Sequence, residues 1–314
     1  MRILFVADPL DEFKTYKDST FAMMTEAARR GHALAACLQQ DLFIDGGEVM
    51  ARARAILLTP DAASWYDERG ESVEALAAYD AVVMRKDPPF DMEYYYSTHL
   101  LERAMARGAR VFNHPGAIRN HNEKLAITEF PQFTAPTLVA RSEGELRAFV
   151  ARHDQAVFKP LDGMGGMGIF RVSRDEPNLS VIIETLTANG TRTIMAQKYL
   201  PAIADGDKRV LLIGGKPVPY CLARIPKAGE TRGNLAAGGT GVARELSATD
   251  RAIAEYLGPI LVARGLLLVG LDVIGENLTE INVTSPTCFQ EITAQTGFSV
   301  AGMFIDALEA AVAA

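Results

Sequence analysis

Cysteine is scarce in this 314-residue sequence, and no cysteine pattern indicates a zinc site or a disulfide framework. The three cysteines, Cys37, Cys221 and Cys288, are widely spaced and have no C-x-x-C or Cys/His ligand pattern. They are expected to be reduced, buried thiols. Long apolar runs are also absent, because the N-terminal run is too short for a signal peptide and residues 266–271 cannot span a membrane. These absences predict a cytoplasmic protein without a membrane partner.

Positive charge is not in excess either. The sequence has 32 Lys and Arg residues against 39 Asp and Glu residues, which gives a net charge of −7. This balance disfavours nucleic acid as a partner, although local basic clusters could still hold small anions. The apolar (48%) and charged (23%) fractions are those of an ordinary soluble globular protein. The length predicts two domains, or one domain with a large lobe.

The most informative stretch is FKPLDGMGGMGIF at residues 158–170, which has four glycines in six positions. Glycine lets backbone N–H groups face an anion, and Lys159 adds a compact positive charge. Gly163, Gly165 and Gly168 satisfy the G-x-G-x-x-G spacing of dinucleotide-binding folds, but those folds need a helix next. Residues 169–173 alternate like a strand instead. The pattern predicts a glycine flap over phosphates, and a plain Gly-rich hairpin turn is the alternative.

The N-terminal region, up to about residue 115, has the strand and helix order of an open α/β sheet. Strands are predicted near residues 2–7, 32–37, 80–85 and 110–113. Two helices connect them: one capped by Ser19 or Thr20 that runs to Arg30, with Gly31 after its end, and a second over 92–107. Ligands bind at the carboxyl ends of such strands. The side chains there are Asp8, Arg85, Asn113 and His114, and each could equally be a solvated loop residue.

A second region begins near residue 122. Residues 142–145 match a helix capping box, and Gly214-Gly215 is typical of a β-hairpin turn. Residues 227–241 contain five glycines and no periodicity, which indicates a lid that orders over an anionic ligand. A helix capped by residues 247–250 and a last helix over 300–313 follow.

Residues 271–283 read as an antiparallel hairpin with a three-residue turn at 275–277. That turn pairs Ile274 with Leu278 and Asp272 with Glu280, and Asn282 points to the same face. Two facing carboxylates need a proton or a cation between them, and oxygen ligands of this kind suit Mg²⁺. We favour a metal, since a phosphate loop would complete its ligands. A solvent-facing strand and general acid–base catalysis are the alternatives.

Three arginines, Arg209, Arg224 and Arg232, lie on or just after the strands between the flap and this acidic hairpin. Arginine binds carboxylates and phosphates in a bidentate manner. The five histidines fall in unrelated contexts, so neither a Ser-His-Asp arrangement nor a covalent nucleophile is indicated. These features are typical of phosphoryl transfer, in which positioning and charge neutralisation provide most of the catalysis.

With these residues in hand, the sequence closely resembles the bacterial glutathione synthetase family of the ATP-grasp superfamily. The matching stretches are DPLDEFKTYKDS (8–19), MRKDPPF (84–90), NEK (122–124), FKPLDGMGGMGIF (158–170), QKYLP (197–201), PYCLARIPKAGETRGNLAAGG (219–239), residues 270–272 and TEINVTSPT (279–287). They span nearly the whole chain. The resemblance implies an N-terminal open α/β (pre-ATP-grasp) domain at 1–121, followed by a two-lobed α+β ATP-grasp domain at 122–314. The small lobe would cover about 122–200 and the large lobe about 201–314.

The activity that the resemblance implies is ATP-dependent ligation of γ-glutamylcysteine and glycine to glutathione, with ADP and phosphate as the other products. ATP would phosphorylate the cysteinyl carboxylate, and the glycine amine would attack the acyl phosphate. Mg²⁺, for which Mn²⁺ could substitute, would be the metal. A homotetramer is implied as well. The alternatives are an ATP-grasp ligase with another carboxylate and amine, such as a D-alanine ligase-like enzyme, and a catalytically silent nucleotide-binding regulator.

The resemblance also assigns roles to individual residues. ATP would be bound by the lysine pair, the flap, the 197–200 segment and a ribose-binding aspartate: Lys124, Lys159, Gly163, Gly165, Gly166, Gly168, Gln197, Lys198, Tyr199, Leu200 and Asp207. The metal ligands would be Asp272, Glu280 and Asn282. The catalytic cations would be Arg209, Arg224 and Arg232, and the further substrate contacts Arg85, Asn113 and Asn234.

Overall fold

The computed structural model describes residues 1–61, 64–227, 233 and 238–314. The first sheet is mixed, with strand order β3-β4-β2-β1-β6-β7 and with β5 paired to β4. Its elements, in chain order, are β1 (Arg2–Val6), α1 (Ser19–Arg29), β2 (Ala33–Cys37), β3 (Leu42–Asp45), β4 (Glu48–Leu58), β5 (Tyr66–Ala75), β6 (Ala81–Met84), α2 (Met92–Met105), β7 (Val111–Phe112) and α3 (Pro115–Asn120). The predicted β-α-β unit is confirmed, because β1 pairs in parallel with β2 and β6.

Two details of this region differ from the predictions. Asp18, not Ser19 or Thr20, caps α1, since its side chain accepts a hydrogen bond from Phe21 N at 2.8 Å. The antiparallel strands β3, β4 and β5 were not predicted. Gly46 and Gly47 form the β3–β4 turn with φ of +56° and +86°, so a Gly-Gly hairpin signal was present in the sequence.

The second sheet has the order β10-β9-β11-β8 and carries the glycine flap. Its elements are β8 (Thr137–Ala140), α4 (Glu143–His153), β9 (Gln155–Pro160), β10 (Phe170–Ser173), α5 (Leu179–Thr187) and β11 (Ile194–Lys198). A strand does follow the flap, because β10 pairs antiparallel with β9, and this excludes the dinucleotide-binding arrangement. The predicted capping box is wrong, since the Ser142 side chain makes no capping hydrogen bond to α4.

The third sheet has the order β14-β13-β12-β15-β16. Its elements are β12 (Asp207–Ile213), β13 (Lys216–Ile225), β14 (Thr240–Glu245), α6 (Ala248–Ala263), β15 (Leu268–Ile274), β16 (Asn277–Asn282), α7 (Phe289–Thr296) and α8 (Val300–Ala313). Gly214 and Gly215 turn β12 into β13 with φ of +57° and +76°, as predicted. The capping box of α6 forms, with Ser247 and Asp250 bonded reciprocally.

The apolar cores group the three sheets unequally. Apart from Met195 of β11, the clustered buried residues of the second sheet and its helices form a cluster of their own, whereas the first and third sheets share two clusters. Helix α8 packs on α1, and Arg30 bonds Asp306 and Glu309 at 2.6 and 3.0 Å. The lobe that carries the flap is therefore the separately packed body. The boundary between residues 121 and 122 stays a prediction. In the described ranges, no helix has the length and apolar character that would cross a membrane.

Candidate active site

One cavity, of about 120 Å³, lies between the flap lobe and the third sheet. All of the predicted ATP-binding residues except Gly168 line it: Lys124, Lys159, Gly163, Gly165, Gly166, Gln197, Lys198, Tyr199, Leu200 and Asp207. Apolar side chains from both bodies complete the wall: Ala135, Val157, Ile169, Ile203 and Ile274. Apart from Ile169, which lies in the flap stretch, these residues were not predicted, because they come from separate segments of the chain. A cavity with apolar walls and a charged end suits a flat base linked to phosphates.

Two buried lysines form the charged end of this cavity. Strand β9 carries Lys159, whose Nζ lies 3.7 Å from Glu280 Oε1 and donates to Thr279 O at 3.3 Å. The Lys124 Nζ lies 3.7 Å from the same Glu280 oxygen and donates to Gly163 O at 2.6 Å. Burial lowers the pKa of Lys159, and the Glu280 charge counteracts this. Both ammonium groups thus face one carboxylate and the base of the flap.

The flap glycines have distinct roles. Gly165, Gly166 and Gly168 adopt φ of +62°, +83° and +68°, a backbone conformation that residues other than glycine rarely adopt. Gly163 needs space instead, because an added Cβ would lie 2.8 Å from Pro160 Cγ. Gly168 does not line the cavity, and its added Cβ would lie 3.2 Å from the same Pro160 atom. Gly168 therefore shapes the flap from behind.

Two arginines of the third sheet, Arg209 and Arg224, are paired with buried aspartates. Strand register places Arg209 opposite Asp272 and Asp207 opposite Arg224. The Arg209 guanidinium donates to both Asp272 oxygens at 2.6 and 3.2 Å. The Arg224 Nη2 lies 2.9 Å from Asp272 Oδ2 and 2.5 Å from Asp207 Oδ2. The cations that face the Asp272 carboxylate are therefore two arginines.

This pairing gives the two aspartates opposite pKa shifts. Burial would raise the pKa of Asp272, but Arg209 and Arg224 outweigh it and hold the pKa below its usual range. Burial raises the pKa of Asp207 to about 6, although Arg224 counteracts it. The Asp207 Oδ1 atom is buried and has no hydrogen-bond partner among the described residues. Asp207 is one of the residues that line the first cavity.

The acidic hairpin is confirmed, but its turn is not the predicted one. Ile274 pairs with Asn277 around a two-residue turn at Gly275-Glu276, and a bulge after Asp272 restores the predicted pairing with Glu280. Of the cations in the described residues, the two that pair with the Glu280 carboxylate, Lys124 and Lys159, lie at 3.7 Å, and Asn282 donates its amide N–H to Gly270 O at 3.2 Å. Within the described ranges, no group of three or more carboxylate, imidazole or thiol side chains could hold a metal. The predicted metal ligands, Asp272, Glu280 and Asn282, are two carboxylates and an amide, so they are not a group of that kind.

A second cavity, of about 380 Å³, adjoins the first. The two cavities share the residues at which the flap meets the acidic hairpin: Lys124, Gly163, Met164, Gly165, Asp272 and Glu280. Arg209, Arg224 and Asn282 line the second cavity alone. Residues of the N-terminal region and of α7 also line the second cavity, among them Lys14, Lys17 and Glu291. The six shared residues form the common wall of the two cavities. A group bound at this common wall is therefore in reach of ligands in both cavities.

The remaining predicted site residues do not line these cavities or lie outside the described residues. Asn113 donates to Leu268 O and Val283 O at 2.7 and 2.9 Å and accepts from Leu268 N at 2.8 Å. These bonds join the first sheet to the third, and they give Asn113 a structural role. Arg85 is buried and donates to Thr20 Oγ1 and Pro286 O, both at 3.0 Å. Arg232, Asn234 and most of the predicted lid lie outside the described residues.

Glu123 is a site residue that sequence reasoning missed. Its Oε1 accepts from Val283 N, Thr284 N and Thr284 Oγ1 at 2.8–3.1 Å, and its carbonyl accepts from Ile281 N. Burial raises the pKa of this carboxyl, although those hydrogen bonds counteract it. These hydrogen bonds attach the segment that contains Glu123 and Lys124 to the C-terminal end of β16. Its place beside Lys124 in the NEK motif was the available signal.

Solved structures share this fold over the whole chain. D-cycloserine synthetase matches with a TM-score of 0.67 and 16% identity, covering 99% of this chain and 100% of that one. The ATP-grasp ligase PsnB complexed with minimal precursor, Mg, and ADP matches with a TM-score of 0.63 and 16% identity, covering 100% and 98%. The fold is that of the ATP-grasp ligases. Because a family model of a prokaryotic synthetase ATP-grasp domain also matches residues 123–297, the class of the protein is that of an ATP-dependent ligase.

Two family models identify the chain more closely. "Prokaryotic glutathione synthetase, N-terminal domain" matches residues 1–119, and "Prokaryotic glutathione synthetase, ATP-grasp domain" matches residues 123–297. The glutathione synthetase of Ralstonia nicotianae is 64% identical over 311 residues, which are 99% of this chain and 96% of that protein. The chain belongs to the prokaryotic glutathione synthetase family.

Proposed function

We propose that the chain joins γ-glutamylcysteine to glycine and forms glutathione, ADP and phosphate. The observation that supports this is the common wall of the two cavities. A phosphate donor in the first cavity and a carboxylate in the second would meet at Lys124, the flap and the acidic hairpin. A ligase that activates a carboxylate with ATP needs this juxtaposition.

ATP is assigned to the first cavity. The adenine would lie between the apolar walls and the 197–200 segment, and the phosphates would lie beneath the flap at Lys124 and Lys159. The orphaned Asp207 Oδ1 would accept a hydrogen bond from a ribose hydroxyl. These contacts would place the γ-phosphate at the common wall.

The residues at and beside the common wall fit a hard divalent cation. Among the described residues, Glu280 has no cation closer than 3.7 Å, and Asn282, beside the wall, makes no hydrogen bond through its amide oxygen. Asp272 would contribute an oxygen that its two arginines do not fully use. Mg²⁺ takes few protein carboxylates and completes its shell with waters and phosphates, and Mn²⁺ would substitute for it. When bound, the ion would neutralise charge on the transferring phosphoryl group.

In the proposed reaction, a cysteinyl carboxylate oxygen attacks the γ-phosphorus and ADP leaves. The glycine amine then attacks the acyl carbon, and phosphate leaves as the amide forms. Arg209 and Arg224 retain N–H donors beyond those that bind aspartate, and they would stabilise the negative charge of the acyl phosphate. We assign water exclusion to the 227–241 lid, with Arg232 and Asn234 as its ligand contacts. A cytoplasmic homotetramer completes the proposal, and light scattering of the purified protein would test its subunit number.

The experiment is an ADP-release assay with purified protein, ATP and Mg²⁺. We expect turnover only when γ-glutamylcysteine and glycine are both present, together with glutathione in equal amount to ADP. ADP release that does not depend on both substrates would refute the proposal. A panel of D-alanine and other amino acids separates a D-alanine ligase-like enzyme from the proposed one. Nucleotide binding without any product would indicate a silent regulator.

A further inference from the structure

Exposed methionines are concentrated in the glycine flap. All eleven methionines lie in the described residues, and three of them are exposed: Met92 at 57%, Met164 at 36% and Met167 at 64%. Two of these three belong to the flap, whereas the three cysteines of the chain are buried. Solvent access determines which sulfur atoms an oxidant can reach. The flap is therefore the part of the site whose sulfur is open to oxidation.

The local structure of the flap leaves both thioethers uncovered. Met164 and Met167 lie at the two ends of a turn, which a hydrogen bond from Met167 N to Met164 O closes at 3.1 Å. The two residues between them, Gly165 and Gly166, have no side chain that could shield a neighbour. Apart from its chain neighbours, no heavy atom of the described residues lies within 4 Å of a Cβ built on Gly165. The space around the turn is thus open to small molecules.

Met164 differs from Met167 in its position relative to the two cavities. Met164 belongs to the common wall, together with Lys124, Asp272 and Glu280, whereas Met167 lines the first cavity alone. Ligands that meet at the common wall would cover Met164 more than Met167, which is also the more exposed of the two. A chemical change at Met164 would therefore alter the surface that faces the transferring phosphoryl group.

The chemical change open to a thioether is conversion to a sulfoxide. A lone pair of the methionine Sδ attacks one oxygen of hydrogen peroxide and the O–O bond breaks. The hydroxide that leaves takes up the proton of the transferred oxygen and forms water. The sulfur is oxidised by two electrons, and the peroxide is reduced by two. An apolar, flexible side chain thereby becomes polar, with an oxygen that is a strong hydrogen-bond acceptor.

We propose that Met164 is an oxidation site at which a hydroperoxide lowers the affinity of the protein for ATP. The inference rests on the proposed function. Lys124 lies in the same wall, and its Nζ donates to the carbonyl of Gly163, the residue next to Met164, at 2.6 Å. A sulfoxide oxygen there would compete with phosphate oxygens for this ammonium group and would turn the negative end of its dipole toward them. Because methionine sulfoxide reductases reverse the oxidation, the modification is reversible.

The test combines peptide mass spectrometry with ADP release after treatment of the purified protein with hydrogen peroxide. We expect the loss of turnover to follow the oxidation of Met164 in time, and not the oxidation of Met167. KM for ATP should rise about 5- to 10-fold, while Tm without nucleotide stays that of the untreated protein. ATP and Mg²⁺ should slow the oxidation of Met164. They should not change that of Met92, which lies at the start of α2 and outside both cavities.

Matched variants are Met164→Leu, Met167→Leu and Met92→Leu, each compared with its own untreated activity. Met164→Leu should keep that activity after peroxide treatment. The other two should lose it as the wild type does, and methionine sulfoxide reductases should restore it. Equal loss in Met164→Leu, or full activity of a wild-type protein with oxidised Met164, would overturn the oxidation site, as would a Met164 that stays reduced while Met92 is converted. Untreated wild-type protein that fails to join γ-glutamylcysteine and glycine would instead overturn the proposed function.

Discussion

Asp272 and Glu280 face each other on one hairpin, yet we expect their neutral variants to behave differently. The Asp272 side chain is 6% exposed and lies between two arginines. Glu280 is 20% exposed, and its nearest cations within the described part of the chain lie at 3.7 Å. Asp272→Asn would leave Arg209 and Arg224 with an uncompensated buried charge. Glu280→Gln would remove a carboxylate at the mouth of both cavities and would leave the core intact.

The expected magnitudes follow from this difference in burial. Breaking a buried ion pair by removing one partner costs about 3–5 kcal/mol, and a loosely paired carboxylate costs less than about 1 kcal/mol. For 314 residues the entropy of unfolding is roughly 0.7 kcal/mol per kelvin. Asp272→Asn should therefore lower Tm by about 5–8 °C, and Glu280→Gln by less than about 2 °C. Turnover should fall at least about 100-fold in both variants.

The assay is calorimetry of both variants and the wild type, without nucleotide, together with ADP release. The pH dependence provides a second check. Because the folded pKa of Asp272 is lowered, its stabilising contribution is present above the unfolded pKa of about 3.9 and is lost as pH falls through the folded value. The Tm difference between wild type and Asp272→Asn should persist from pH 8 to about pH 5 and shrink below about pH 4. Equal Tm shifts in the two variants would refute the burial argument, and full activity of Glu280→Gln would remove the metal assignment.

Three further predictions concern the lysine pair, the flap and the thiols. Lys159→Met should raise the Kd for ATP at least about 10-fold in titration calorimetry, because the variant lacks the ammonium group that faces the phosphates. It should not lower Tm, because an apolar chain replaces a buried charge. An unchanged Kd would contradict the role of Lys159 in ATP binding. Gly163→Ala should raise KM for ATP roughly 10-fold, because the new Cβ meets Pro160 at 2.8 Å; a wild-type KM would show that the flap tolerates the displacement. Burial raises the pKa of Cys37 to about 12 and of Cys221 to about 11, so both thiols should be unreactive to iodoacetamide at pH 8 until the protein unfolds. Mass spectrometry that finds either one labelled in the native protein would contradict this.

Local signals predicted most of the ATP-grasp region. The strand after the flap, the Gly214-Gly215 turn and helix α8 follow from alternation, turn residues and apolar spacing. Local sequence signals gave wrong or incomplete predictions where tertiary contacts determine the structure. Ser142 has the residues of a capping box around it but makes no capping bond, and the antiparallel part of the first sheet was missed. In the acidic hairpin the pairing was right although the turn was wrong, because a bulge compensates for the shorter turn.

The sequence by itself determined the chemistry that the site contains: the glycine flap, the lysines, the arginines and the oxygen ligands, in an order typical of one family. The tertiary structure decided which charges are paired and which remain free for ligands. Arg209 and Asp272 are 63 positions apart, and Lys159 and Thr279 are 120 apart, so only strand register and lobe packing bring them into contact. Charge interactions depend on distance and burial, and sequence spacing fixes neither between separate strands. For that reason the contacts of Glu123 with Val283 and Thr284 could be recognised only in the folded chain.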